Sequence, residues 1–143
     1  MISKPSAISS MKNHYGIDTS IFVRLLTGSP ERDYEKTLSR FEERLVKQPA
    51  AEFFVSNQVI GEAYIALQHH YGVTKPEARS AMLSVFTSGL CTPLNGSAMI
   101  DILETTTGCG LLDRLITQEY AAQGLTTLTN DRKMAKLDGA EKH

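Results

Sequence analysis

Four acidic side chains stand in or beside apolar segments of this 143-residue chain: Asp18, Glu62, Asp113 and Asp131. Gathering several carboxylates in one fold costs several kcal/mol per charge, on the order seen for buried ions, unless a positive charge neutralises them. Ligand sets made only of oxygen suit Mg²⁺ or Mn²⁺. The four residues are therefore predicted to be the metal ligands and the catalytic residues of one site.

Each of the four also has an ordinary explanation. The chain has 16 acidic residues, and any one of them is more often a solvated surface group or a helix cap than a ligand. Asp113 alone would be read as a helix-start residue, and Asp131 alone as a turn residue. Only their joint placement favours the metal site.

Local patterns predict the elements that carry the acidic residues. Residues 15–17 form a short strand that ends at Asp18, and Thr19 or Ser20 is expected to cap the helix that follows. Glu52–Val55 is a second strand, rich in residues that favour strands. Its following helix starts after Ser56 and carries Glu62.

The second half of the chain repeats the alternation of helix and strand. A helix over 111–123 ends at Gly124, and a strand over 125–129 precedes the turn at Asp131. Other predicted elements are helices over 31–48, 74–89, 97–104 and 132–137 and a strand over 90–94 that contains Pro93. A proline places that strand at a sheet edge.

This alternation, without a hairpin signal between paired runs, predicts an α/β fold with a mostly parallel sheet flanked by helices. In such sheets the active crevice lies outside the carboxyl ends of the strands. Asp18 and Asp131 follow two of those ends. Asp113 falls in a first helical turn, where the helix dipole stabilises a carboxylate. Glu62 is expected to point along the sheet edge into the crevice and not into water.

Composition limits the class of protein. With 41% hydrophobic and 22% charged residues, the chain is predicted to be one folded domain and not a disordered one. No apolar run approaches the ~20 residues of a membrane span, and residues 1–12 read as a flexible leader before a domain over 13–143. Cys91 and Cys109 lack metal spacing, which favours two free thiols in a reducing cytoplasm.

The order of the acidic segments resembles a known family. Ile17-Asp18-Thr19-Ser20, then Glu62 in a helix, then residues 113–116 and 128–131 resemble the successive signatures of PIN-domain nucleases. The resemblance covers about residues 15–137, and the length and simplicity of the chain are similar to VapC-type toxins of toxin–antitoxin pairs.

The resemblance implies a PIN-like three-layer sandwich over residues 13–143 and a Mg²⁺- or Mn²⁺-dependent endoribonuclease. Metal-activated water would hydrolyse RNA phosphodiester bonds, a cognate antitoxin would restrain the enzyme, and the location would be cytoplasmic. Ser20 and Thr129 match positions where a hydroxyl supports the site. Met134 stands where an aromatic residue is frequent in that family. The short polar tail 139–143 predicts that the family's final strand is missing.

Further residues are expected to contact partners. Arg114 and Arg132 adjoin acidic positions and could hold RNA phosphates, although solvation explains either one equally well. The apolar faces of the first two helices are expected to exceed what one domain covers, which predicts a homodimer or a bound antitoxin segment. These faces are formed by Phe22, Leu26, Leu38 and Phe41.

Two other functions remain open. The chain could be a catalytically silent binding module that keeps the PIN fold for protein or RNA contacts, although the presence of all four acidic residues argues against it. It could also be another divalent-metal nuclease, of the ribonuclease H type. That class places its first aspartate within a run of hairpin-linked strands, whereas Asp18 is followed directly by a predicted helix.

Overall fold

A computed structural model describes residues 13–143, so the predicted leader over 1–12 lies outside the described residues. The strands are β1 (His14–Gly16), β2 (Glu52–Val55), β3 (Thr92–Pro93), β4 (Thr127–Thr129) and β5 (Ala140–Lys142). The helices are α1 (Thr19–Thr27), α2 (Glu31–Lys47), α3 (Asn57–His70), α4 (Lys75–Thr87), α5 (Ala98–Glu104) and α6 (Leu111–Ala122). A 3₁₀ turn covers Met134–Lys136.

Two parallel sheets organise the chain. The first has the order β1-β2-β3, with Tyr15 opposite Phe53 and Phe54 opposite Thr92. The second pairs β4 with β5, also in parallel. The prediction of an α/β fold is confirmed, and β3 with Pro93 lies at the sheet edge as expected. No hairpin-linked strands are found among residues 13–143, which argues against the ribonuclease H type.

The core lies between the first sheet and the helices. Phe22 is fully buried and stacks on Phe86, with 5.5 Å between ring centroids. Phe41 meets Phe53 edge-on at 4.8 Å. The expectation that the first two helices expose surplus apolar surface is therefore wrong. Phe22 and Phe41 are buried, and Leu26 and Leu38 pack against the same core.

The residues that cap the helix starts are of the types predicted, and one cap lies earlier in the chain than predicted. Thr74 and Glu77 form a reciprocal capping box at the start of α4, and Ser56 caps α3. At α1 the cap is Asp18, whose side chain accepts a hydrogen bond from the N–H of Ile21. Thr19 is already helical. Asp, Thr and Ser are all good caps, so composition could not distinguish between them.

The C-terminal tail forms a strand, so the prediction that the final strand is missing is wrong. Thr127 donates its N–H to Gly139 O, and His143 donates its N–H to Thr129 O, at 2.9 Å each. The polar residues of β5 are tolerated because this short strand is an exposed edge. Met134, at the position noted for aromatic residues, is buried beneath this region. None of the described helices is long and apolar enough to cross a bilayer.

Candidate functional site

Asp18 stands directly after the last sheet contact of the first strand. Ile17 donates its N–H to Phe54 O, which continues the pairing of β1 with β2 up to the residue before Asp18. Ser20 Oγ donates to Asp18 Oδ1 at 2.8 Å, and the N–H of Ile21 donates to the same oxygen at 3.2 Å. The Ser20 hydroxyl, followed by the Ile21 N–H, lowers the pKa of Asp18 below its ordinary value. Ser20 therefore fixes the orientation of the Asp18 carboxylate.

Glu62 projects from α3 toward the start of α1, which packs against it. Thr19 Oγ1 donates to Glu62 Oε1 at 2.5 Å, and Gln58 Nε2 donates to Oε2 at 3.3 Å. The Thr19 hydroxyl, followed by the Gln58 amide, lowers the pKa of Glu62. Glu62 is solvent-exposed, so the expectation that it points away from water is wrong. Through Thr19, this hydrogen bond fixes Glu62 against the first residue of α1, next in the chain to Asp18.

Asp113 lies in the first turn of α6, as predicted. It lines a cavity of about 710 Å³, whereas Glu62 lines a neighbouring groove of about 410 Å³. Ile65 and Leu112 belong to the walls of both. Glu62 and Asp113 therefore line different openings that share two apolar wall residues.

Asp131 caps the short turn that follows β4. Its Oδ1 accepts the N–H of Met134 at 2.9 Å, and its own N–H donates to Thr129 Oγ1 at 3.0 Å. Thr129 thus fixes the backbone at Asp131 and not its carboxylate. No hydrogen bond between described residues joins Asp131 to Asp18, Glu62 or Asp113.

The structure shows no contact that joins any two of the four predicted carboxylates, so their convergence in one pocket stays a prediction. Among residues 13–143, no three His, Cys, Asp or Glu side chains are grouped closely enough to hold a metal ion. None of the four carboxylates forms an ion pair with a described Lys, Arg or His. Asp18 and Glu62 are thus ionised oxygen donors without a cation, and in donor chemistry they fit Mg²⁺ or Mn²⁺.

The two predicted RNA-binding arginines differ in their surroundings. Arg114 donates from Nε to Cys109 O at 3.1 Å and from Nη2 to Thr107 O at 2.7 Å. This guanidinium holds the loop before α6, which favours a structural role. Arg132 is exposed and forms no hydrogen bond or ion pair with the residues described, so its predicted contact with phosphate stays a prediction.

Sequence reasoning missed two residues. Thr19 was considered only as a helix cap, yet it connects Glu62 to the end of β1. Arg79 is buried to 7% exposure, and its Nη1 donates to the carbonyl oxygens of Ile102, Leu103 and Thr105. The burial of Arg79 could have been predicted from its place on the apolar face of α4, three residues before Met82.

Comparison with known proteins adds no assignment, because no family model, curated protein or solved structure matches the chain.

Proposed function

We propose that this chain is a metal-dependent endoribonuclease with a PIN-like fold, and that it acts as the toxin of a toxin–antitoxin pair. The observation that carries the proposal is the contact of Thr19 with Glu62. It fixes the Glu62 carboxylate of α3 against the helix that starts after Asp18, beside the carboxyl end of a parallel strand, where α/β folds place their active crevices.

The electrostatics at this place support a cation site. Hydroxyl donors lower the pKa of both Asp18 and Glu62, so both carboxylates are ionised at neutral pH. Neither has a described cationic partner. Ionised carboxylates would repel a phosphodiester, and a divalent cation relieves this repulsion.

The residues have separate roles in the proposal. Asp18 and Glu62 hold the cation, while Ser20 and Thr19 fix the orientation of the two carboxylates. In the proposal Asp113 and Asp131 are further ligands or water-orienting groups, although no described contact joins them to Asp18 or Glu62. When bound, Mg²⁺ or Mn²⁺ lowers the pKa of a ligated water and neutralises charge on the phosphodiester. Hydrolysis rather than transfer is expected because water is the nucleophile.

The test is an RNA-cleavage assay with Mn²⁺ and with EDTA, comparing the wild type with Asp18→Asn and Glu62→Gln. Both substitutions remove a charge and keep the shape of the side chain. The matched control is Glu42→Gln, which changes an exposed glutamate in the middle of α2.

We expect Mn²⁺-dependent cleavage by the wild type and by Glu42→Gln, with a loss of at least about 100-fold in the two site variants, as for removal of one electrostatic group from an active site. Cleavage that persists in EDTA, or full activity in Asp18→Asn, would exclude the proposed mechanism.

One observation favours the catalytically silent binding module as a second candidate. Asp113 and Glu62 line different cavities, and no group of three potential ligands occurs in the described part of the chain. This candidate predicts neither Mn²⁺ binding nor cleavage. Titration of the wild type with Mn²⁺ therefore separates the two proposals before any RNA is added.

The groove beside Glu62 supports the proposed antitoxin contact. Ile65, Leu112 and Ile116 expose between 40% and 48% of their surface on α3 and α6, and Glu62 and Glu119 also line the groove. Apolar walls with two acidic side chains suit a partner segment that carries apolar and basic residues. Unchanged antitoxin affinity after Glu62→Gln would count against this electrostatic contact.

The proposed homodimer is better assigned to another surface. Two copies meeting through the groove would bring like charges together, which disfavours that contact. Tyr120, Leu125 and Leu128 are 47–58% exposed near the end of α6 and on β4. Light scattering of the wild type and of Leu128→Lys tests this, with a monomeric wild type as the contradicting result.

A further inference from the structure

The cavity of about 710 Å³ between α3, α4 and the loop before α6 contains more positive than negative fixed charge. Lys75 and Arg79 line it from α4, and Asp113 lines it from α6. His69 lines the same cavity from α3. With His69 neutral, the balance is two cations against one carboxylate, so the cavity favours an anionic ligand.

Arg79 is the strongest indication of a ligand. A side chain with 7% exposure is more than nine-tenths buried, and arginine at that depth is normally fully engaged by hydrogen bonds. Its three hydrogen bonds all come from Nη1, which satisfies the carbonyl oxygens at the end of α5. No described residue accepts a hydrogen bond from Nε or Nη2, and the guanidinium carbon lies 6.0 Å from the centroid of the Tyr64 ring. Two charged donor groups therefore remain for a ligand in the cavity.

The loop before α6 presents further donors. Arg114 binds the carbonyl oxygens of Thr107 and Cys109. Because the C=O and N–H of a trans peptide point in opposite directions, the N–H groups of Gly108 and Gly110 face away from Arg114. Gly108, Cys109 and Gly110 all line the cavity. No side chain caps α6 at Gly110, so the first N–H groups of this helix also remain free for an anion.

We propose that this cavity binds a phosphate group, held by the free nitrogens of Arg79, the ammonium of Lys75 and the N–H groups at the start of α6. A planar guanidinium with two free nitrogens matches two oxygens of a phosphate. The group could belong to inorganic phosphate or to the end of an RNA strand, and both present the same oxygens. The site does not depend on the proposed nuclease activity.

The direct test is calorimetric titration of the full chain with inorganic phosphate at constant ionic strength. Lys75→Gln removes an exposed ammonium from the cavity, and Lys36→Gln is its matched control on α2. Substituting Arg79 would also break the contacts with α5, so a second variant is needed that leaves the fold intact. Gly110→Asp meets that need. Gly110 has φ −68° and ψ 171°, the extended conformation of a helix cap, and a Cβ there meets nothing within 4 Å.

An aspartate at position 110 caps α6 with its own carboxylate and repels phosphate. We expect phosphate affinity to fall about ten-fold or more in Lys75→Gln and in Gly110→Asp, as for loss of a charge-assisted hydrogen bond. Lys36→Gln is expected to bind phosphate like the wild type. The melting temperature of Gly110→Asp is expected not to fall, so its loss of affinity cannot be attributed to unfolding.

No phosphate binding by the wild type, or equal affinity in the wild type, Lys75→Gln and Gly110→Asp, would overturn the proposal. A parallel titration with a 5′-phosphorylated oligoribonucleotide in EDTA distinguishes the sources. If the oligoribonucleotide binds much more tightly than inorganic phosphate, and Lys75→Gln loses this affinity, the site is assigned to RNA. If the two ligands bind with equal affinity, the site is assigned to small phosphates. Asp18→Asn is expected to bind phosphate normally, so failure of the nuclease proposal would leave this site intact.

Discussion

Replacement of Asp18 separates its role in folding from its role in chemistry. Asp18 caps α1 through one oxygen, Oδ1, which accepts from Ser20 Oγ and from the Ile21 N–H. Asp18→Ala removes the cap, whereas Asp18→Asn keeps a carbonyl oxygen at the same place. Asn and Asp are equally good caps. Asp18→Asn therefore removes the negative charge with little effect on the helix.

The expected loss of stability follows from the loss of the helix cap. Loss of a cap costs about 1 kcal/mol of unfolding free energy, and the exposure of Asp18 screens any larger electrostatic contribution. We expect Asp18→Ala to lose about 1 kcal/mol, or about 4 °C in melting temperature for a domain of this size. Asp18→Asn is expected to remain within about 0.3 kcal/mol of the wild type.

Urea unfolding followed by far-UV circular dichroism measures the stability of the three proteins, and Mn²⁺-dependent RNA cleavage measures their activity. Both variants are expected to be inactive, but only Asp18→Ala is expected to be destabilised. The cap assignment would be refuted if Asp18→Asn were as unstable as Asp18→Ala. The metal assignment would be refuted if Asp18→Asn cleaved RNA like the wild type.

Three further predictions concern other contacts. Thr19→Val removes the strongest donor to Glu62 and is expected to raise the pKa of Glu62, measured by NMR titration, whereas Thr19→Ser should leave it low. A Cβ on Gly61 would meet Leu112 Cδ2 at 3.2 Å, but Leu112 is 40% exposed and can move. In urea unfolding, Gly61→Ala should therefore stay within about 1 kcal/mol of the stability of the wild type. Gly61→Leu should lower the unfolding free energy by about 2 kcal/mol, because the larger side chain separates α3 from α6. Burial raises the pKa of Cys91 to about 12, so this thiol should not react with a disulfide reagent near pH 8 until the chain unfolds. Rapid labelling of Cys91 in the native protein would contradict this prediction.

Local chemistry predicted much of the fold. The strand Glu52–Val55 was found with its predicted bounds, and α6 begins at its predicted first residue, Leu111. These features depend on neighbouring residues alone. The tail strand β5 was missed because it forms by hydrogen bonding to the backbone of β4, and the sequence of the tail alone does not show this pairing. Polar residues such as Glu141 give no local strand signal.

The site was harder to predict for a physical reason. A sequence places a carboxylate on an element, but the packing of two helices decides which side chains meet. Asn57 on α3 donates to Leu115 O and Gln118 Oε1 on α6. In this packing Glu62 and Asp113 line different openings, and Ile65 and Leu112 line both. The contact of Glu62 with α1 depends on the hydroxyl of Thr19, which fits equally well as an ordinary helix residue.

The most direct measurement of the central claim is anomalous diffraction from crystals of the protein soaked in Mn²⁺. The account predicts a manganese peak bonded to carboxylate oxygens of both Asp18 and Glu62, and no such peak in Asp18→Asn crystals. The absence of a peak at these residues in the wild type, or a manganese ion bound at other residues only, would contradict the account.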